Sequence, residues 1–235
     1  QIIAVLNRQD IMTDKQGLKQ HPTAQLAQHP EQQDSDPSGE ASVQPSPWQG
    51  LTQAFRQELQ RVMATADCLF SPEEIDQALT VVAEQITTRL SDSNPVLLCV
   101  MNGGLVLTGQ LAPKLSFPLQ LDYLHATRYR EKLSGSDLHW RALPATALSG
   151  RTVLILDDIL DEGETLAAVV EWCQAEGAKE VMTAVLVDKQ HDRKSAWLTR
   201  ADFTALVAED RYLFGYGMDY KGYWRNAPGI FAVAD

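Results

Sequence analysis

Acidic side chains gather where an apolar run of the sequence ends, and they could bind a phosphorylated sugar. Residues 153–156 are apolar and lead directly into Asp157 and Asp158, and the cluster DEGET at 161–165 opens an amphipathic segment. In open α/β sheets, ligands bind at the carboxyl ends of the strands. The unpaired N–H groups of a following helix can hold a phosphate. Two carboxylates beside that phosphate can hold vicinal hydroxyls and, through them, Mg²⁺.

The stretch TVLILDDILDEGET at 152–165 resembles the phosphoribosyl-diphosphate signature of the type I phosphoribosyltransferases. The resemblance implies that Asp157 and Asp158 hold the ribose hydroxyls and that Asp161 is the general base. It places the 5′-phosphate on the loop residues Glu162, Gly163, Glu164 and Thr165. Many relatives have Thr in place of Glu162 and a neutral or basic residue in place of Glu164. The alternative is an ordinary buried strand followed by acidic residues that favour the helix dipole.

A glycine pair follows a second apolar run and could bind an anion. Met101, Asn102, Gly103 and Gly104 come directly after residues 95–100. Glycines there let the backbone approach a ligand closely, although a plain strand-to-helix turn has the same composition. In the 6-oxopurine branch of the family, the matching loop binds pyrophosphate and contains a non-proline cis peptide. The resemblance places that bond between Met101 and Asn102, where many relatives have a basic residue in place of Asn102.

Lys189 ends the apolar run VLVDK and is a candidate for recognising the base. The resemblance implies that it donates to O6 of a 6-oxopurine. This contact separates hypoxanthine and guanine from adenine, whose amino group is itself a donor. A solvated surface lysine is the alternative. Within the aromatic and glycine-rich segment 211–225, which resembles the purine-binding end of the family, Tyr212 would stack on the base and Leu213 would contact its edge through the backbone.

Three further roles follow from the resemblance. Asp219 would take part in Mg²⁺ binding together with Asp157 and Asp158, and Arg225 would contact pyrophosphate. Residues 126–130, ATRYR, look like the mobile loop that closes over the family's active site, with Tyr129 among the substrate-binding residues. Closure of such a loop excludes water from an activated ribosyl group.

The pattern of apolar residues predicts an α/β fold. Ser71, Pro72 and Glu74 form a helix start, followed by apolar residues at helical spacing up to Leu90. We expect strands at 95–101, 119–127, 152–157 and 181–187, helices within 103–115 and at 164–176, and an edge arm at 137–143. The alternation predicts a doubly wound, mainly parallel sheet with flanking helices. By resemblance this is the type I phosphoribosyltransferase fold with a small hood.

Composition divides the chain at about residue 50. Residues 1–50 contain ten Gln and five Pro without periodicity, which predicts a disordered extension before a domain over 51–235. The hood would come from the N- and C-terminal parts of that domain. Cys68, Cys99 and Cys173 have no paired spacing, and we expect all three to be buried, reduced thiols of a cytoplasmic protein. No apolar run is long enough for a membrane helix.

Taken together, these patterns predict an enzyme of purine salvage. It would make IMP or GMP and pyrophosphate from phosphoribosyl diphosphate and a 6-oxopurine, with Mg²⁺, as a homo-oligomer (dimer or tetramer, by resemblance). Xanthine is an alternative base that Lys189 does not exclude. A nucleic-acid-binding sensor of phosphoribosyl diphosphate is disfavoured by the net charge of −11. A phosphatase or receiver domain also has paired Asp residues at strand ends, but neither explains the segment 212–225.

Overall fold

The computed structural model of the chain describes residues 50–128 and 138–234, so most of the predicted extension lies outside the described residues. The chain order is α1 (Gln53–Thr65), β1 (Asp67–Phe70), α2 (Pro72–Leu90), β2 (Val96–Val100), α3 (Gly104–Leu111), a 3₁₀ turn (Ala112–Lys114), β3 (Gln120–Arg128), β4 (Leu138–Ala142), β5 (Thr152–Leu160), α4 (Glu164–Ala175), β6 (Glu180–Gln190), β7 (Phe203–Glu209), β8 (Leu213–Phe214) and β9 (Ile230–Ala232).

A six-stranded sheet of order β4-β3-β2-β5-β6-β7 forms the centre of the fold. All neighbouring strands are parallel except β4, which runs antiparallel to β3 at the edge. The predicted mainly parallel sheet and its edge arm are therefore confirmed. A separate antiparallel sheet of order β1-β9-β8 joins segments that are distant in sequence.

Two apolar cores cover the two faces of the large sheet. One core packs α2 and α3 against the sheet and includes Leu213 and Ile230 from the small sheet. The other core packs α4 against the opposite face through Leu166, Val169 and Cys173. Strand β2 is buried along its whole length, because helices cover both of its faces. The doubly wound arrangement is thus the one that the sequence predicts.

The structure corrects three expectations. Strand β5 does not stop at Asp157 but continues to Leu160, since Ile159 and Leu160 pair with β6. Strand β7 was not predicted, and its parallel pairing extends β6 to Gln190. Cys68 is exposed on β1, so the expectation of three buried thiols is wrong. Edge strands, and the last residues of longer strands, form by pairing with segments that are distant in sequence, and the local pattern of apolar residues does not reveal that pairing.

No helix among the described residues is both long and apolar enough to cross a bilayer.

The predicted start of α2 is confirmed as a capping box. The Ser71 hydroxyl accepts from the Glu74 N–H, and the Glu74 carboxylate accepts from the Ser71 N–H at 2.8 Å. The bond to the Ser71 N–H also lowers the pKa of Glu74. This cap fixes the first turn of a helix whose buried face includes Ile75 and Leu79.

We expect Ser71→Ala to lower the free energy of unfolding by about 1 kcal/mol, because the Glu74 N–H in the first turn loses the hydroxyl that accepts its hydrogen bond. Denaturant unfolding measures this change. Gln77→Ala is the matched control, since Gln77 is exposed in the same helix and should change stability little. Equal stability of the Ser71→Ala variant and the wild type would contradict the prediction.

Candidate active site

A cleft of about 620 Å³ lies at the carboxyl ends of the central strands. The backbone places there the ends of β2, β3 and β5, the start of α4 and the segment that precedes β9. Twelve of the predicted site residues line this cleft: Met101, Asn102, Gly103, Asp157, Asp158, Asp161, Glu162, Gly163, Glu164, Thr165, Asp219 and Arg225. The sequence signature and the loops around it therefore meet in one place.

Asp157 and Asp158 carry the strongest electrostatic perturbation of the cleft. Burial raises the pKa of Asp157 well above its usual value, and the neighbouring charge of Asp158 raises it further. Burial also raises the pKa of Asp158, although a hydrogen bond with Asp157 and the charge of Arg225 oppose this. The two carboxylates are thus short of positive partners, which suits binding of hydroxyl donors or a cation.

The loop between β5 and α4 has the geometry of an anion site. Gly163 is the N-cap of α4, with a φ of 80° and no side-chain capping bond of its own. The first-turn residues Glu164 and Thr165 line the cleft. Behind the loop, the Ser195 N–H donates to the Glu162 carbonyl at 2.7 Å. Glu162 and Glu164 are exposed, so water can solvate both carboxylates.

The glycine pair after β2 approaches the paired acids closely. The Met101–Asn102 peptide bond is cis, at the position that the resemblance predicted. A methyl group on Gly103 would clash with the carboxyl group of Asp158, and one on Gly104 would lie 2.5 Å from the Leu156 carbonyl oxygen. Only glycine fits at these positions because α3 begins directly against β5.

The C-terminal segment brings a cation to the paired acids. Arg225 donates to the Asp219 carboxylate and to the Gly217 carbonyl, both at 2.5 Å, and lies 3.9 Å from Asp158. The other carboxylate oxygen of Asp219 accepts from the Gly222 N–H at 2.6 Å. Gly217 has a φ of 112° and packs against the Gly103 backbone, which holds this segment against the glycine loop.

Asp161 is paired with the predicted base-recognition residue. Lys189 Nζ lies 3.2 Å from Asp161 Oδ2 and also 3.2 Å from Asp210 Oδ1. Lys189 is only 8% exposed, so it is not a solvated surface lysine. The Asp161 side chain keeps 44% of its exposure and faces the cleft. A carboxylate and an ammonium group are thus held side by side at the mouth of the site.

Among the described residues, three predicted site residues do not line the cleft: Lys189, Tyr212 and Leu213. Tyr212 is 54% exposed, and its hydroxyl donates to the Asp219 carbonyl at 3.2 Å. Leu213 is buried in the first core, and its backbone pairs with Ala232 in the small sheet. Tyr129 lies outside the described residues, so its predicted position in a closing loop remains a prediction.

Sequence reasoning missed two residues on β3 and β4 that line the cleft, His125 and Arg141. Thr127, which the sequence analysis assigned to the closing loop, also lines the cleft but lies in β3. Burial and the charges of Arg141 and Arg225 lower the pKa of His125, so this part of the cleft is electropositive. The alternation of β3 could have found His125, because Leu124 and Ala126 are buried while the residue between them points the other way.

A second missed group surrounds Asp161. His191 Nε2 lies 2.6 Å from Asp161 Oδ1, and Arg193 binds Asp210 through two contacts of 2.6 and 3.0 Å. The Arg193 bonds, with Lys189, hold the pKa of Asp210 well below its usual range. Asp210 follows β7, a strand that the sequence did not predict, so no local pattern could have joined these residues.

Comparison with known proteins agrees with this geometry. The model of the phosphoribosyl transferase domain matches residues 69–204. A hypoxanthine-guanine-xanthine phosphoribosyltransferase of Tritrichomonas foetus is 30% identical over 162 residues, which cover 69% of this chain and 88% of that protein. A hypoxanthine-guanine phosphoribosyltransferase of Bacillus subtilis is 30% identical over 163 residues, covering 69% and 89%.

The fold is also found among solved structures. A structure of a hypoxanthine-guanine-xanthine phosphoribosyltransferase superposes with a TM-score of 0.65 at 28% identity, covering 72% of this chain and 97% of that one. The chain therefore belongs to the phosphoribosyl transferase domain family, and its fold is the type I phosphoribosyltransferase fold.

We expect Gly104→Ala to impair phosphoribosyl-diphosphate binding and to lower the unfolding temperature, because the added methyl group forces α3 away from the Leu156 carbonyl. Calorimetric titration and thermal unfolding measure the two effects. Gly109→Ala is the matched control, since Gly109 lies in the same helix and its added methyl group would meet nothing within 4 Å. That variant should be as stable as the wild type or more stable. Similar behaviour of the two variants would contradict the prediction.

Proposed function

We propose that this protein transfers the 5-phosphoribosyl group of phosphoribosyl diphosphate to hypoxanthine or guanine, giving IMP or GMP and pyrophosphate. One observation carries the proposal. The paired carboxylates of β5, the start of α4 and Asp161, which Lys189 contacts, all meet at one cleft. The family and the names of the two relatives at 30% identity support the same activity.

The sugar phosphate fits the β5–α4 loop. Asp157 and Asp158 accept hydrogen bonds from the two ribose hydroxyls, which relieves the crowding of the two carboxylates. The 5′-phosphate accepts from the N–H groups at the start of α4 and from the Thr165 hydroxyl. Glu162 and Glu164 are exposed, so water screens their repulsion, and the partial positive charge of the helix start favours the phosphate.

The pyrophosphate fits the part of the cleft that Arg225 and the glycine loop line. Arg225 contacts it, and the Met101–Gly103 loop supplies backbone N–H groups. Asn102 brings no charge, but Arg141 lines the same cleft and adds positive potential, whereas burial and the neighbouring arginines lower the pKa of His125. The departing diphosphate thus meets an electropositive wall although the glycine loop has no basic residue.

Mg²⁺ fits the donor set of this cleft. Asp157, Asp158 and Asp219 offer carboxylate oxygens, the ligand type that this hard cation prefers. These residues would hold the ion directly or through the ribose hydroxyls. When bound, Mg²⁺ neutralises part of the charge of pyrophosphate and makes it a better leaving group.

The base binds beside Lys189, whose ammonium donates to O6. Asp161 accepts the proton from N7 while N9 of the purine forms the bond to C1 of the ribose and the C1–O bond to pyrophosphate breaks. Tyr212 stacks on the purine, and the Leu213 backbone contacts its edge. Tyr129 belongs to the loop that closes over the reacting groups and excludes water.

Xanthine is a second candidate base, because the names of the T. foetus relative and of the matching solved structure include it. Xanthine shares O6 with hypoxanthine and guanine, so Lys189 does not separate the three. We expect a cytoplasmic enzyme and a homo-oligomer, a dimer or a tetramer. A nucleic-acid-binding sensor would need a basic face, and the net charge of −11 opposes it.

We expect Mg²⁺-dependent nucleotide formation from phosphoribosyl diphosphate with hypoxanthine and guanine, and little with adenine. Asp161→Asn should lower kcat by about 10²- to 10⁴-fold, because the amide cannot take the N7 proton. Steady-state assays with hypoxanthine, guanine, xanthine and adenine offered separately measure both effects.

Asp192→Asn is the matched control for the lost charge. Asp192 is exposed three residues after Lys189, and its substitution should leave the activity unchanged. Binding of phosphoribosyl diphosphate without turnover of any base would contradict the proposed activity and favour a sensor.

A further inference from the structure

His191 is the buried polar residue of the site that the proposed mechanism does not use. It follows β6 directly, its side chain is only 3% exposed, and its Nε2 lies 2.6 Å from Asp161 Oδ1. Lys189 Nζ contacts the other oxygen, Asp161 Oδ2, at 3.2 Å. Each oxygen of the proposed general base therefore has its own nitrogen partner.

The second ring nitrogen of His191 defines its tautomer. The backbone N–H of Arg193 donates to His191 Nδ1 at 3.1 Å, which requires a lone pair on that nitrogen. The ring proton is therefore on Nε2 and points at Asp161 Oδ1. A second proton, on Nδ1, would face the Arg193 N–H and break this bond. The arrangement thus favours a neutral imidazole that donates to Asp161, and it opposes a relay that moves protons through the ring.

Arg193, whose backbone N–H contacts His191, is held in place by Asp210. The Arg193 guanidinium binds Asp210 through two contacts, at 2.6 and 3.0 Å. Asp210 also contacts Lys189, and Lys189 contacts Asp161. The contacts therefore form a closed ring of five side chains and one backbone N–H, with the side chains coming from Asp161, His191, Arg193, Asp210 and Lys189. The charged groups that face Asp161 within this ring are Lys189, Asp210 and Arg193.

The same cluster could be taken for a metal site, because ligand atoms of Asp161, His191 and Asp210 lie within 4.8 Å of one another. Lys189 Nζ lies 3.2 Å from both carboxylates and already supplies the positive charge that a metal ion would bring. The ring proton of His191 also points at Asp161, which leaves Nε2 without a lone pair for a metal. The cluster therefore serves to orient Asp161.

We propose that His191 is a positioning residue that fixes the carboxylate plane of Asp161 for transfer of the purine N7 proton. This proposal rests on the proposed phosphoribosyl transfer. A carboxylate held at one oxygen can still rotate about its Cβ–Cγ bond, whereas donors on both oxygens set its plane. Each oxygen keeps a second lone pair, so the N7 proton can still be accepted. A small misorientation of a reacting group can cost a large part of the rate.

The test compares two amides that differ by one methylene. In His191→Asn, the short side chain can still accept from the Arg193 N–H but does not reach Asp161. In His191→Gln, the amide nitrogen reaches approximately the place of Nε2 and can donate to Asp161. Gln190→Asn is the matched control, because Gln190 is exposed on the preceding position. Single-turnover rates with hypoxanthine are measured because a slow product release would hide the chemical step in kcat.

We expect His191→Asn to slow single-turnover nucleotide formation by about 10- to 100-fold, with the KM for phosphoribosyl diphosphate unchanged. His191→Gln should recover most of the rate, and Gln190→Asn should match the wild type. Thermal unfolding of each variant shows whether the fold is kept. If His191→Asn does not fold, His191→Gln alone decides, because a loss as large as that of Asp161→Asn would overturn the proposal.

The outcomes separate this proposal from the activity on which it rests. If the wild type converts no base, both the proposed activity and the positioning role of His191 are contradicted. A wild type that converts hypoxanthine while His191→Asn is equally fast, or while both amides are equally slow, overturns the positioning role and leaves the activity intact. Nitrogen NMR of the ring gives a readout besides turnover, with His191→Gln identifying the signals. A neutral ring protonated on Nε2 supports the proposal, and one protonated on Nδ1 contradicts it.

Discussion

The site depends on placing two adjacent carboxylates at the end of a strand that is buried on both faces. Burial raises the pKa of both Asp157 and Asp158, so the fold tolerates this pair at an energetic cost. The positive charge of Arg225, 3.9 Å from Asp158, offsets part of the cost. What remains is a demand for hydrogen-bond donors or a cation, which the proposed ribose and Mg²⁺ would meet. The electrostatic cost of the empty site and its affinity for these ligands therefore have the same cause.

Close backbone packing holds the glycine loop and Arg225 against Asp157 and Asp158. Gly103 and Gly104 allow α3 to start directly against β5, where any larger residue would clash. Gly217 packs on the same loop and brings Arg225 with it. The small sheet holds this C-terminal segment through the pairing of β8 and β9. A change in any of these close contacts would move the cation relative to the carboxylates.

Much of this could be predicted from local sequence. The capping box at Ser71 and the helical spacing after it are local patterns, and the signature at 152–165 places its acids on one strand and one helix start. The extension of β5 to Leu160 and the existence of β7 could not be predicted, because they depend on pairing with β6. His191 escaped notice for the same reason, since its contact with Asp161 forms only when β6 and β5 align. Cys68 shows that an apolar neighbourhood in sequence does not ensure burial.

The most direct test is a crystal structure with phosphoribosyl diphosphate, Mg²⁺ and a hypoxanthine analogue that has carbon in place of N9 and cannot react. We predict that the ribose hydroxyls contact Asp157 and Asp158, that the 5′-phosphate lies at the start of α4, and that N7 of the base lies within hydrogen-bonding distance of Asp161. A sugar phosphate bound elsewhere, or an analogue whose N7 faces away from Asp161 with O6 far from Lys189, would contradict this prediction.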